Sequence, residues 1–166
     1  MERGGSNIRQ RYSFAVCETS ADVQTTVRTA REHGFPLSVR GGGHDWAGRS
    51  LRHGGLVIDL SHMQRVDVDP ETSVATIQGG ATAIDVNSAA APHGLVAATG
   101  NCGTVGMVGL TTRGGYGPLA SRYGLAPDNL LGAEVVLADG GQVVQCVGNS
   151  CQKIGAITDM QGWWTN

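Results

Sequence analysis

At 166 residues the chain is long enough for one domain with a sizeable core. Its formal net charge is −2 and Lys153 is its single lysine, so no basic stripe marks a nucleic-acid surface. No stretch approaches the roughly 18 apolar residues of a membrane span, and residues 1–10 lack the apolar core of a secretory signal. The four cysteines, Cys17, Cys102, Cys146 and Cys151, form no CxxC and no zinc spacing, so the expectation is a soluble, cytoplasmic protein with free thiols and no metal, nucleic-acid or membrane partner.

Glycine is the compositional outlier, with 26 residues against a usual share of about 7%. The glycines cluster between apolar runs without a collagen period, which suits backbone that approaches a ligand closely.

Taken in order, residues 1–11 are polar and expected to be disordered. Residues 12–17 predict a strand, with Cys17 as a buried strand residue. Ser20 is the expected N-cap of a helix with Asp22 in its first turn and Val23, Val27 and Ala30 on one face. Gly34 stops that helix, and residues 37–40 predict the next strand, completing a strand–helix–strand unit. His33 and His93 each precede a helix-ending glycine and read as partners of a helix C-terminus.

Arg40 is followed by Gly41, Gly42, Gly43 and His44. Three residues without a Cβ can turn the backbone so that successive N–H groups point at one anion, with an imidazole beside them. A tight turn with an incidental histidine carries the same local signals. A second glycine-rich stretch that contains a cysteine, Gly100-Asn101-Cys102-Gly103, favours the anion site. The loop follows the second strand of its unit rather than the first, so it is not a Rossmann fingerprint, and no P-loop lysine exists. Trp46 is expected to pack beside the loop.

Residues 56–60 predict a buried strand; 66–69 alternate as a half-exposed strand, with 74–78 returning as its hairpin partner. Thr82 with Asp85 predicts the start of a helix whose apolar face is Ile84 and the 89–91 alanines, ended by Pro92-His93-Gly94. From Gly100, glycine recurs at 103, 106 and 109, and Gly114, Gly115 and Gly117 follow. Such a stretch predicts neither helix nor strand; the interleaved Val105, Met107, Val108 and Leu110 favour backbone wrapped on a ligand over a flexible linker. Residues 130–138 predict a last strand, turned at 139–141 into 142–146.

These motifs carry a resemblance. Arg40-Gly41-Gly42-Gly43-His44, Gly54 to Leu60, Val68-Asp69-Pro70, Gln78-Gly79-Gly80-Ala81, Gly100-Asn101-Cys102-Gly103, Gly114-Gly115-Tyr116-Gly117, Tyr123-Gly124-Leu125, Asp128 to Leu131 and Val135 to Gly140 fall in the order seen in FAD-linked oxidases. The chain resembles the berberine-bridge-enzyme-like branch of the vanillyl-alcohol-oxidase superfamily over residues 12–145. The resemblance implies an α+β, PCMH-type FAD-binding domain with two α/β subdomains. It implies that Arg40, Gly41, Gly42, Gly43 and His44 bind the FAD pyrophosphate, and that Gly100, Asn101, Cys102, Gly103, Gly106, Gly115 and Gly117 line the flavin and its diphosphate. It further implies bicovalent attachment, through His44 to the flavin 8α carbon and through Cys102 to C6. The function implied is the FAD-binding portion of an oxidoreductase that oxidises an alcohol, sugar or related small molecule and passes electrons to oxygen. The alternative is a truncated, non-catalytic remnant that folds or binds flavin without turnover. A metal site of His44, Asp45 and another histidine lacks any helical carboxylate–histidine spacing.

Two departures from the pattern stand out. Thr112 and Arg113 occupy places where relatives carry leucine and glycine. Arg113 either pairs with a phosphate or, if φ > 0 is required there, costs on the order of 1 kcal/mol. The resemblance also stops near Val144, so residues 146–166 are expected to be a divergent tail of a truncated product, with no clear periodicity and an exposed Trp163-Trp164 pair. The substrate pocket and catalytic base of the family are expected to lie outside this chain.

Overall fold

The computed structural model describes residues 12–141, together with the backbone of Val143–Val147 and Ala156–Trp163. The expected disorder of residues 1–11 lies outside the described residues, as do the side chains of the tryptophan pair.

The architecture is α+β, built on two sheets. The first is a parallel sheet of β1 (Ser13–Val16), β2 (Leu37–Arg40) and β3 (Leu56–Asp59) in the order β1-β3-β2. The predicted strand–helix–strand unit is therefore open: its two strands flank β3 rather than each other, and Ser13 and Leu37 both pair with Leu56. The central place of β3 follows from its unbroken apolar run, buried at Val57 and Ile58, since a parallel strand is covered on both faces.

Helix α1 (Ser20–Glu32) covers this sheet with Val23, Val27 and Ala30, the expected face. Its N-cap is Thr19 rather than Ser20: the Thr19 hydroxyl accepts from the Asp22 N–H at 3.2 Å, while the Asp22 carboxylate accepts the Thr19 N–H at 2.9 Å. The three-residue spacing from Thr19 to Asp22 lets both bonds form at once, which Ser20 does not offer. His33 is the C-cap, with its Nδ1 3.0 Å from the Thr29 carbonyl oxygen and its ring stacked on Phe35.

The second sheet is antiparallel, with the order β4-β5-β8-β6-β7, where β4 is Val66–Asp69, β5 Val74–Gln78, β6 Leu130–Val136, β7 Val143–Val147 and β8 Ala156–Trp163. The sequence reading left residues 156–163 without structure; they form a strand inserted between β5 and β6. Helix α2 (Ala83–Ala90) packs beside this sheet through Ala83, Val86 and Ala90. Ile84, expected on that face, is 56% exposed. The period from Ala83 selects Val86 and Ala90 and turns Ile84 away.

Two cores result. One joins β5, α2, Met107 and β6; the other joins α1, β3, Leu60 and Met63. Val136 of β6 lies fully buried in the second core and so links the sheets. Arg28 of α1 reinforces the link by donating from Nε to the Gly140 carbonyl at 2.9 Å, and Gln24 donates to the Gly141 carbonyl. Among the described residues no helix is long and apolar enough to cross a membrane.

Candidate functional site

Two glycine loops meet where the two halves join. The first leaves β2. The Arg40 carbonyl accepts the Leu60 N–H at 2.9 Å, and the Arg40 guanidinium donates to Asp59 at 2.9 Å. Asp59 is buried and also accepts the Ser61 N–H at 3.1 Å. Arg40 is thus held by the neighbouring strand end, and it braces the loop: a Cβ at Gly43 would lie 3.3 Å from its Nε. Gly43 adopts φ +73°, a conformation glycine takes without a Cβ penalty.

Downstream, Asp45 accepts from the Arg49 N–H at 2.6 Å and from Arg49 Nη2 at 2.8 Å. These bonds, with the Arg49 charge, hold the Asp45 carboxyl down at about 2, below its ordinary 3.8. Trp46, expected to pack beside this loop, is instead completely exposed. The turn closed by the Gly48 N–H on the Asp45 carbonyl carries it away from the two cores.

The second loop, Gly100 to Gly106, is clamped to the start of α2. The Ile84 N–H donates to the Gly103 carbonyl at 2.8 Å, the Ala83 N–H to Val105 at 3.0 Å, and the Met107 N–H to Ala81 at 2.9 Å. Thr82 and Asp85 begin that helix as the sequence predicts, with the Asp85 carboxylate accepting the Thr82 N–H at 2.8 Å. The stretch read as neither helix nor strand becomes α3 (Met107–Thr112), followed by the short α4 (Ala120–Tyr123). Burial of Met107 and Thr111, one turn apart, outweighs the low propensity of Gly109.

The loops touch backbone to backbone. A Cβ on Gly42 would lie 2.8 Å from both the Gly106 Cα and the Thr104 carbonyl oxygen. Above that contact, His44 Nε2 lies 2.7 Å from the Thr104 hydroxyl, and the Cys102 Sγ lies 3.3 Å from the same oxygen. Thr104 pulls the exposed Cys102 thiol below its ordinary 9.0, through its hydroxyl first and its N–H second. Buried Cys17 moves the other way, pushed up chiefly by desolvation.

Among the described residues, the N–H groups of Gly41, Gly42, Gly43 and His44 meet no backbone acceptor, and neither do those of Asn101, Cys102 and Gly103, while the Thr104 N–H turns to the Cys102 sulfur. The two loops thus each carry a run of N–H groups without a backbone acceptor, on partly exposed backbone, the kind of donor set that can take anionic and carbonyl oxygens. No group of three or more His, Cys, Asp or Glu side chains able to hold a metal occurs among the described residues.

The remaining sequence candidates divide. Gly100 and Asn101 belong to the second loop, and Asn101 is exposed there. Gly115, at φ +65°, is packed where a Cβ would fall 2.7 Å from Ala126, and one on Gly117 would fall 2.9 Å from the Thr99 carbonyl carbon. Both are buried and hold segments together. Arg113 is the C-cap of α3 at φ −124°, so the strain foreseen for it does not arise; Gly114 and Gly115 take the positive angles instead. A separate apolar cavity of about 630 Å³ between α1, β2 and the end of β6 includes none of these residues. Sequence reading missed Thr104 and Asp59. A lone carboxylate closing an apolar run beside the loop was a usable signal for Asp59, whereas nothing local marks Thr104.

Comparison with known proteins gives the family. Residues 13–146 match the family described as FAD binding domain. The chain is 41% identical over 142 residues to (R)-6-hydroxynicotine oxidase of Paenarthrobacter nicotinovorans, covering 86% of this chain and 31% of that protein. It is 41% identical over 126 residues to the FAD-linked oxidoreductase hasG of Aspergillus fumigatus, covering 76% of this chain and 27% of that protein. The crystal structure of 6-hydroxy-D-nicotine oxidase from Arthrobacter nicotinovorans superposes with a TM-score of 0.89 at 36% identity, over 96% of this chain and 38% of that one. A chitooligosaccharide oxidase superposes with a TM-score of 0.84 at 29% identity, over 95% of this chain and 37% of that one. The chain spans about three-tenths of the length of these curated relatives. With its α+β frame, its paired glycine loops and these matches, the chain belongs to the FAD-binding, PCMH-type oxidases, whose FAD-binding portion it covers.

Proposed function

We propose that this chain is the flavin cradle of a berberine-bridge-enzyme-like oxidase, carrying FAD on two covalent tethers. The N–H groups of Gly41 to His44 take the pyrophosphate, and those of Asn101 to Gly103 take the polar edge of the flavin. The absence of a Cβ at Gly42 and Gly106 is what lets the two donor sets stand close enough to serve one ligand. When bound, FAD supplies a hydride acceptor for oxidation of an alcohol, sugar or amine carbon, with oxygen as the final electron acceptor. The chain's own work is to hold, orient and polarise that ring.

The observation that carries this reading is the convergence of His44 and Cys102 on one hydroxyl. Imidazole and thiolate are the two side-chain nucleophiles most available near neutral pH. Here they stand on two facing loops, each with N–H groups that meet no backbone acceptor among the described residues, and both reach the Thr104 hydroxyl. The test is retention of colour. The 166-residue chain loaded with FAD and precipitated in acid should stay yellow, His44→Ala and Cys102→Ala should each keep one bond, and the double variant should release all flavin. Complete release from the unmodified chain would overturn the attachment.

A second reading is that these 166 residues bind flavin without turnover: His44 and Cys102, the two nucleophiles gathered at Thr104, would both be spent as tethers, so neither is left as a base. Peroxide release by the FAD-loaded chain with sugars, alcohols and amines decides between them, with free FAD as the blank. Release at the level of that blank supports the second.

A further inference from the structure

A threonine hydroxyl has one proton to give and lone pairs to receive. The Thr104 hydroxyl is within hydrogen-bond reach of two groups, His44 Nε2 at 2.7 Å and Cys102 Sγ at 3.3 Å, and it cannot donate to both. With a neutral imidazole, two arrangements use the hydroxyl as a bridge from one nucleophile to the other. In the first, Thr104 donates to sulfur and accepts from Nε2–H, which favours a thiolate whose proton is released to solvent and places the lone pair of the neutral ring on Nδ1. In the second, Cys102 S–H donates to Thr104, Thr104 donates to Nε2, and Nδ1 carries the ring proton.

We propose that Thr104 is a positioning residue that sets both nucleophiles together: it donates to Cys102 Sγ and accepts from His44 Nε2–H, so that the thiolate and the Nδ1 lone pair form as one state. This rests on the reading of His44 and Cys102 as flavin tethers, but it concerns the side chains before any bond forms. The downward displacement of the Cys102 thiol agrees with the first arrangement, since a hydroxyl that donates favours the thiolate. No charged group is among the causes of that displacement. The charged side chains nearest in the two loops are already engaged, Asp45 by Arg49 and Arg40 by Asp59. His44, on the far side of the hydroxyl, is the titratable group that shares it.

The coupling is measurable in the 166-residue chain prepared without flavin. Peptide-resolved alkylation of Cys102 by iodoacetamide across pH reports the thiolate, and nitrogen-15 NMR of the His44 ring reports the tautomer. Thr104→Val should slow Cys102 alkylation near neutral pH by at least about threefold, the modest end for the net worth of one intramolecular hydrogen bond, and move its pH profile upward. Thr104→Ser should restore both. Cys102→Ala frees the hydroxyl to donate to Nε2, so the His44 ring should shift toward the Nδ1–H tautomer, a change that a purely structural threonine would not produce. A wild-type alkylation profile in Thr104→Val, or an unchanged His44 tautomer in Cys102→Ala, overturns the proposal. If Thr104→Val does not fold by circular dichroism, the serine variant and Cys102→Ala decide alone. Loss of flavin on denaturation with these couplings intact would remove the attachment reading and leave this one standing.

Discussion

Gly42 and Gly106 occupy one another's side-chain space: a Cβ on Gly106 would lie 2.5 Å from the Gly42 amide nitrogen, and one on Gly42 would overlap the Gly106 backbone. Neither neighbour is a flexible side-chain tip, so neither can yield without moving a loop. Gly42→Ala and Gly106→Ala should each destabilise the fold by about 1–3 kcal/mol, the range for overpacking. Denaturant melts check this, and flavin uptake should fall in both. Gly34→Ala is the control for strain without crowding: its φ is +67° but nothing lies within 4 Å of a Cβ there. It should lower stability and leave uptake unchanged.

Arg40 should prove a brace. Its guanidinium sits 2.9 Å from Asp59, whose side chain is 8% exposed. Arg40→Ala leaves that carboxylate, among the described residues, with the Ser61 N–H alone, a loss of about 1–3 kcal/mol for a partly exposed pair. Asp59→Asn in the Arg40→Ala background should recover part of it. A double-mutant cycle with no coupling would show the pair to be inert.

The Asp45 clasp predicts a pH window. Its folded carboxyl is held at about 2 against an ordinary 3.8. A carboxyl depressed in the folded state contributes its stability above the unfolded value and loses it as pH falls through the folded one. The loop should therefore hold above about pH 4 and loosen as pH drops toward about 2. Carbon-13 NMR of the Asp45 carboxyl should give that low midpoint, and Arg49→Ala should return it toward 3.8.

Thiol selectivity offers the simplest check. Cys102 is exposed with its thiol lowered, and Cys17 is 1% exposed with its thiol raised by desolvation. Under native conditions near neutral pH a limiting alkylating agent should label Cys102 far ahead of Cys17, and urea should abolish the difference. Equal labelling in the folded state would contradict the burial of Cys17.

What the sequence disclosed was what local pattern can carry. The β4–β5 hairpin, the Thr82–Asp85 helix start and the apolar face Val23, Val27 and Ala30 depend on residues a few positions apart, and they stand as read. The glycine run before His44 was legible as backbone that comes close to something, and what it meets among the described residues is the Gly106 backbone. Thr104 was not, because its partner His44 lies 60 residues away and only the loop–loop contact brings them together. Helix α3 was hidden by its glycines and exists because Met107 and Thr111 are buried. Trp46 was expected to pack beside the loop, and its full exposure shows how little residue type says about direction in a loop. Thr19 was a missed signal rather than an absent one, since its spacing to Asp22 was visible.

The place of β8 between β5 and β6 has a consequence for how the molecule is made. The β4–β5 hairpin and the β6–β7 pair have no edge in common, and β8 is the strand that joins them. Val74 pairs with Trp163 and Gln78 with Asp159, so the joint closes a loop of some eighty residues. Such distant pairings make assembly slow, because the chain gives up the entropy of closure before the ladder returns it. During synthesis both halves emerge first, each with an open edge turned toward a partner still inside the ribosome. In that interval the exposed edges are templates for other chains, and yield on expression should respond to temperature and chaperone supply more than to the stability of the finished fold.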